Sequence, residues 1–109
     1  MHLDIRAAAG VSADVAELAR TRLVNALKRF APRVRSLTVR LTDLNGPRGG
    51  VDKKCLVAIR LRSPRRTIVL EDTAADAAVA VARIADRAGR AVARAVDALT
   101  RTRTAQPAY

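Results

Sequence analysis

Alternating apolar and polar positions predict four β-strands. In the first, which covers residues 1–6, Leu3 and Ile5 share one face and charged or polar side chains share the other. Three later segments, residues 37–42, 54–61 and 67–71, repeat this two-residue period. A period of two is typical of strands with one face on a core and one face in water, so the pattern predicts an amphipathic sheet.

Two other segments carry apolar residues three or four positions apart, which is typical of amphipathic helices. The first helix is predicted to begin at a cap supplied by Ser12 or Asp14 and to end at Pro32. The second is predicted from near Thr73 to about Thr100. At ~1.5 Å per residue, the second helix would be roughly 40 Å long.

The predicted order is β-α-β-β-β-α, an α+β fold. A four-stranded sheet of this kind buries one face most simply when both helices pack on that face. The chain has 109 residues, enough for one domain with a modest core. Residues 1–100 are predicted to form this single domain, and residues 101–109 a short disordered C-terminal tail.

The charge balance points to a polyanionic partner. Lys and Arg total 21 against 10 Asp and Glu, a formal net charge of +11. Such a surplus favours nucleic acid first and an anionic membrane surface second, although a codon bias toward Arg and Ala is an alternative source of it. The only aromatic residues are Phe30 and Tyr109, which argues against a surface that stacks unpaired bases on rings.

The sequence offers little for catalysis. It has a single cysteine, Cys55, at an inward strand position, and a single histidine, His2, at an outward one. One His and one Cys make no metal-ligand set, and the Gly-rich loop at residues 45–50 lacks the nucleotide-binding spacing. No apolar run is long enough to cross a bilayer. We therefore expect a cytoplasmic, non-enzymatic protein with no metal, cofactor, small-molecule substrate or membrane partner.

The second helix carries the clearest candidate for binding chemistry. Four arginines are spaced four, three and four residues apart: Arg83, Arg87, Arg90 and Arg94. At about 100° per residue they fall in a stripe roughly 60° wide, opposite the apolar face. Solvated helix faces usually mix charges of both signs, whereas guanidinium groups match phosphate oxygens. The stripe is therefore predicted to bind phosphates, with a plain solvated face as the alternative.

Six further basic residues are weaker candidates for RNA binding. They are Arg22, Lys28 and Arg29 in the first helix and Arg48, Lys53 and Lys54 in or just after the Gly-rich loop. A Gly-rich loop lets backbone N–H groups approach phosphate, but a plain hairpin loop explains the composition equally well.

Several of these segments together resemble one family, the ribosome hibernation-promoting factors with the related ribosome-associated inhibitor A, also called sigma factor modulation proteins. The resemblance covers about residues 3–94 and rests on the element order and on matching motifs. The motifs are the stretch at residues 39–55, Ser12, Arg22 and Lys28 in the first helix, and Asp76, Ala80-Val81, Asp86-Arg87, Arg90 and Arg94 in the second. Ala78, Asn25 and Ala93 depart from the family pattern, which usually has Tyr or a basic residue there, and Arg83 departs from it as well, since an apolar residue is usual at its position.

The resemblance implies a translation inhibitor without a chemical step. It implies binding to RNA of the small ribosomal subunit near the decoding site, where messenger and transfer RNA are excluded during stress or stationary phase. A second hibernation factor is a further candidate partner. Two other classes of function stay open from the residues alone: an RNA-binding adaptor not specific to ribosomes, and a basic module that contacts an acidic protein.

We also expect a particular arrangement of the two helices. If both pack on one sheet face, their outer flanks would form a positive surface with a groove between them. In that arrangement Arg22 and Lys28 would line one wall of the groove, and Arg87, Arg90 and Arg94 would line the other.

Overall fold

A computed structural model of the chain describes residues 1–8, 10–43 and 53–105, with side chains up to residue 101. The elements are β1 (His2–Ala7), α1 (Ala13–Leu27), a 3-10 segment (Lys28–Arg33), β2 (Val34–Asp43), β3 (Lys53–Leu61), β4 (Arg66–Ala74) and α2 (Ala77–Ala105). This order confirms the predicted β-α-β-β-β-α arrangement and its α+β class.

The four strands form one mixed sheet in the order β1-β2-β3-β4. The strand β1 runs parallel to β2, and the other two pairings are antiparallel. One row of paired residues crosses the whole sheet: Ile5, Val39, Val57 and Leu70. Val39 and Val57 are fully buried while the two edge residues are partly covered, so the core is centred on the middle strands.

Both helices lie on one face of this sheet, as predicted. Leu23 and Leu27 of α1 and Ile84 and Val92 of α2 are fully buried in the same cluster as the inward residues of β2 and β3. The opposite face carries exposed side chains, among them Val69, which is 59% exposed. The amphipathic strands thus bury one face only, as their two-residue period indicates.

The first helix begins where the sequence suggests and ends earlier. Of the two predicted caps, Ser12 is the one used: its Oγ accepts a hydrogen bond of 3.2 Å from the N–H of Val15. The α-helical part stops at Leu27, and Pro32 lies inside the 3-10 segment that follows. The prediction that the α-helix reaches Pro32 is therefore wrong by one turn, since the tighter 3-10 winding already begins at Lys28.

The second helix is shifted toward the C-terminus at both ends. The predicted start near Thr73 is wrong because Thr73 and Ala74 still pair with β3. Asp76 caps the helix instead, and its Oδ1 accepts a hydrogen bond of 2.9 Å from the N–H of Ala78. At the other end, α2 continues to Ala105, about one turn past the predicted end near Thr100. Residues 101–105 contain neither Gly nor Pro, so nothing in their chemistry stops the helix. Residues 106–109 of the predicted tail lie outside the described residues.

Candidate nucleic-acid interface

The arginines of α2 lie along one exposed side of the helix, as their spacing predicts. Arg83, Arg87, Arg90 and Arg94 are all exposed, whereas Ile84 and the other apolar positions of the helix face the core. The helix is about 43 Å long at ~1.5 Å per residue, so it presents these side chains along a nearly straight line.

A fifth arginine extends this line. Because α2 continues to Ala105, Arg101 is helical and exposed. At about 100° per residue it falls in the same sector as the other four, and the five together span roughly 27 Å. We call Arg83, Arg87, Arg90, Arg94 and Arg101 the α2 stripe. Sequence reasoning missed Arg101 because it was assigned to the tail; its spacing of seven residues from Arg94 was the available signal.

Two members of the α2 stripe reach across to the edge strand β4. The Nη1 of Arg83 lies 3.8 Å from the Oδ1 of Asp72, with side chains that are 57% and 21% exposed. The Nη1 of Arg87 donates a hydrogen bond of 3.1 Å to the backbone carbonyl oxygen of Glu71. These contacts fix the direction of the two guanidinium groups before any ligand binds.

A third member of the α2 stripe is paired within the helix. The Nη2 of Arg90 lies 2.8 Å from the Oδ2 of Asp86, one turn earlier, and both side chains are well exposed. An exposed pair of this kind contributes only about 0.3–0.5 kcal/mol. A charge-assisted hydrogen bond to phosphate is worth about 1.5–3 kcal/mol, so phosphate can displace the carboxylate.

The α2 stripe does not form a wall of the expected groove between the helices. The helices are in close contact at Gly89, where a Cβ would lie 3.3 Å from the backbone oxygen of Ala26. At about 100° per residue, the α2 stripe lies roughly 100–160° around the helix from Gly89. Arg87 instead contacts β4, and Arg94 lies beside Ile68 of β4. The predicted groove is therefore wrong for Arg87 and Arg94, because both side chains lie on the β4 side of α2.

The basic candidates of α1 and of the 3-10 segment that follows it form a separate, smaller group. Arg22 and Lys28 are exposed, as predicted. Arg29 is exposed as well, and its guanidinium carbon stacks 4.6 Å from the ring centroid of Phe30. Arg22 lies within roughly 40° of Ala26 around α1, at about 100° per residue. The structure thus brings Arg22 to the α2 side of α1 but not into line with the α2 stripe, and Lys28 and Arg29 lie in the 3-10 segment beyond the end of α1.

The candidates around the Gly-rich loop are tied to the sheet. The Nζ of Lys53 lies 2.8 Å from the Oδ2 of Asp43 on β2, and both side chains are largely covered. The Nζ of Lys54 lies 3.3 Å from the Oε2 of Glu71 on β4. Both lysines already neutralise a cross-strand carboxylate, which explains their positions without a ligand. Arg48 and the Gly-rich loop lie outside the described residues.

The thiol of Cys55 is buried, as its inward position predicts. Burial and, to a smaller extent, the charge of Asp72 raise the pKa of Cys55 to about 11, so the thiol stays protonated and unreactive at neutral pH. Among the described residues, no three His, Cys, Asp or Glu side chains gather in a way that could hold a metal ion. The helices described here include none that could span a membrane.

Comparison with known proteins supports the fold. The sequence matches no family model, and no curated protein matches it either. Among solved structures, the N-terminal domain of Protein Y from Thermus thermophilus is similar, with a TM-score of 0.67 and 19% sequence identity. The match covers 86% of this chain and 98% of that domain. At this identity the likeness concerns the backbone, and it confirms the fold that the family resemblance implies: the chain has the fold of the Protein Y N-terminal domain.

Proposed function

We propose that this protein is a ribosome hibernation factor that binds the small ribosomal subunit through its RNA. Protein Y, whose N-terminal domain has the same fold, is a ribosome hibernation-promoting factor. In this proposal the protein occupies RNA near the decoding site and blocks messenger and transfer RNA, with no chemical step. The site of action is then the cytoplasm, in stress or stationary phase, and a second hibernation factor is a candidate partner on the bound ribosome.

The α2 stripe is the observation that carries the proposal. Five exposed guanidinium groups follow one line on a helix that the sheet supports from the opposite side. Arginine side chains hold phosphate oxygens in pairs, and the length of the stripe allows contacts to several phosphates in succession. The net charge of +11 adds a long-range attraction to any polyanion, which accelerates encounter without selecting a partner.

Co-sedimentation with separated ribosomal subunits is the simplest test of the proposal. The purified chain is sedimented with isolated small subunits, with isolated large subunits, and with small subunits in the presence of excess unrelated duplex RNA. We expect saturable binding to small subunits that survives the competitor, and inhibition of translation in vitro that excess messenger RNA relieves. Equal binding to both subunits, or complete loss to the competitor, would indicate an RNA-binding adaptor without ribosome specificity.

The salt dependence of small-subunit binding gives a second measurement. If the five members of the α2 stripe each neutralise one phosphate, the log–log slope of affinity against salt should be about −3.5 to −4.5. A slope near zero would contradict a phosphate interface. Binding that survives complete nuclease digestion of the RNA would point to a protein partner instead.

A further inference from the structure

A second cluster of arginines lies at the end of the sheet where β3 turns into β4. It surrounds an open depression of about 470 Å³. Five of its seven lining residues are arginines: Arg35, Arg60, Arg62, Arg65 and Arg66. We call this the basic concavity. All five arginines are exposed. They come from three strand ends and one turn, so only the folded sheet brings them together.

The charge of the basic concavity is not compensated by the neighbouring side chains that the structure describes. Among the residues that the structure describes, no carboxylate lies within ion-pair distance of any of its five guanidinium groups, and none of their side chains makes a hydrogen bond. Like charges held close together repel one another, so this arrangement opposes folding in the absence of an anion. Binding of a polyanion would remove that repulsion.

The turn that carries two of these arginines is held in place. The Nη1 of Arg33 donates hydrogen bonds to the backbone oxygen of Ser63 at 3.2 Å and to its Oγ at 3.4 Å. The backbone N–H of Arg62 in turn donates to the carbonyl oxygen of Arg33 at 2.7 Å. Arg33 is thus a positioning residue: it fixes the turn between Arg62 and Arg65, so these two side chains leave the backbone from defined points.

The basic concavity is also continuous with the α2 stripe. Arg66 lines the concavity and, on its other side, a second depression that it shares with Ile68 of β4 and Arg94 of α2. Positive charge therefore runs without a carboxylate lining residue from the sheet end, around the edge of β4, to the helix. One extended polyanion could follow this path.

We propose that the basic concavity is a second phosphate-binding site, which takes two or more neighbouring phosphates of the RNA that the α2 stripe binds. The assignment to the same RNA rests on the proposed function. Five positive charges exceed the charge of about −1.5 to −2 on a single phosphate group, so one inorganic phosphate leaves most of the cluster uncompensated. A nucleic-acid backbone supplies a series of charges and also reaches Arg94.

Paired charge-removing variants of the full chain test this site. Arg62→Gln with Arg65→Gln removes two charges from the basic concavity. The control, Arg6→Gln with Arg40→Gln, removes two charges from a cross-strand pair of β1 and β2 outside the concavity, where Arg6 already has an ion-pair partner in Asp4 at 3.1 Å. Both variants are titrated with a labelled 12-nucleotide oligouridylate and with isolated small subunits, over a series of salt concentrations. Thermal melts accompany the titrations.

We expect the concavity variant to bind the oligouridylate at least fivefold more weakly at 0.1 M salt, with a log–log slope shallower by about 1.4 for two single-strand contacts. The control variant should change affinity less than twofold. The melting temperature of the concavity variant should be unchanged or raised, because removing unpaired like charges relieves repulsion. Equal effects of the two variants on affinity and slope would overturn the site, since net charge would then explain the binding.

The two probes separate this site from the proposed function. If the chain fails to bind small subunits but the concavity variant still loses affinity for the oligouridylate, the proposed function fails and the phosphate site stands. If small-subunit binding holds while the concavity variant matches its control with both probes, the phosphate site fails and the proposed function stands.

Discussion

Two groups of five arginines dominate the surface, and they differ in how their charge is balanced. In the α2 stripe, Arg83 and Arg90 have carboxylate partners and Arg87 has a backbone carbonyl, while Arg94 and Arg101 have no partner among the described residues. In the basic concavity no guanidinium group has such a partner among the described residues. A partner holds an arginine side chain in one direction and reduces the positive potential around it. Unpaired like charges, in contrast, attract an anion strongly and lower the stability of the free protein. The first region favours defined geometry and the second favours electrostatic attraction.

Reversing charge in the α2 stripe should give the largest effect. Arg87→Glu with Arg90→Glu should weaken small-subunit binding well over tenfold, because each lost contact is worth about 1.5–3 kcal/mol and ~1.4 kcal/mol is one decade. Co-sedimentation at one fixed salt concentration measures it. The matched control is Arg6→Glu with Arg40→Glu, which changes the net charge equally. Equal losses would remove the distinction between the α2 stripe and the rest of the surface.

The core beneath both regions should matter for stability but not for binding. Cys55→Ala should lower the free energy of unfolding by about 1 kcal/mol through a small cavity. Binding of RNA to either region should be unchanged, since the thiol is buried and protonated. Urea unfolding and small-subunit co-sedimentation of the variant measure the two effects. Loss of binding with the fold intact would show that the thiol takes part in the interface.

The Cys55 thiol also gives the wild-type protein a defined pH dependence of stability. The unfolded chain releases the thiol proton near pH 9.0, while the native protein keeps it until about 11. Between these values the native state binds more protons, so the wild-type free energy of unfolding should fall as the pH rises. Urea unfolding of both proteins from pH 8 to 11 should show this extra fall in the wild type only. Parallel curves would mean that Cys55 titrates normally in the folded protein.

Neutralising a single arginine should lower the stability of the protein in the α2 stripe but not in the basic concavity. Arg83→Gln removes the partner of Asp72, which is only 21% exposed, and should lower stability by about 0.2–1 kcal/mol. Arg65→Gln in the basic concavity should leave the melting temperature unchanged or raise it slightly. Thermal melts at low salt show the contrast, which 0.5 M salt should reduce. A rise in melting temperature for Arg83→Gln together with a fall for Arg65→Gln would contradict this comparison of the two regions.

Removing a competing carboxylate should give the smallest effect. Asp86→Asn releases Arg90 from its 2.8 Å ion pair, and small-subunit binding should then strengthen about twofold, in keeping with a pair worth about 0.3–0.5 kcal/mol. Asp14→Asn makes the same charge change at an exposed position on α1 and serves as the control. The difference in small-subunit affinity between the two variants, measured by co-sedimentation, shows how strongly the Asp86 carboxylate competes with RNA for Arg90.

The two regions also differ in how well the sequence predicts them. The α2 stripe follows from local periodicity, because residues three and four apart share a helix face whatever the rest of the chain does. Even there, local signals misplaced the ends: pairing of Thr73 with Lys54 extends β4 past the predicted helix start. The partners of Arg83 and Arg87 could not be predicted, since they depend on how α2 lies against the edge strand.

The basic concavity depends on strand register, which alternation alone does not give. Arg60 and Arg62 precede the turn and Arg65 and Arg66 follow it, so their nearness is implied by any hairpin there. In the sequence, residues 62–66 only connect the third and fourth predicted strands, and nothing in their spacing marks them as a site. Arg35 joins the cluster because β2 lies beside β3 with Ser36 opposite Arg60, a pairing set by the whole sheet.

The central claim, that the α2 side of this protein lies against small-subunit RNA near the decoding site, is tested most directly by cleavage from a tethered probe. Asp97→Cys in the Cys55→Ala background places an iron chelate on exposed α2 beside the α2 stripe. His2→Cys places the same probe at the exposed start of β1, on the sheet edge opposite β4. Hydroxyl radicals generated from position 97 should cut small-subunit RNA strongly around the decoding site, and those from position 2 should cut it weakly. Cleavage from position 97 that is absent, or no stronger there than elsewhere on the subunit, would contradict the claim.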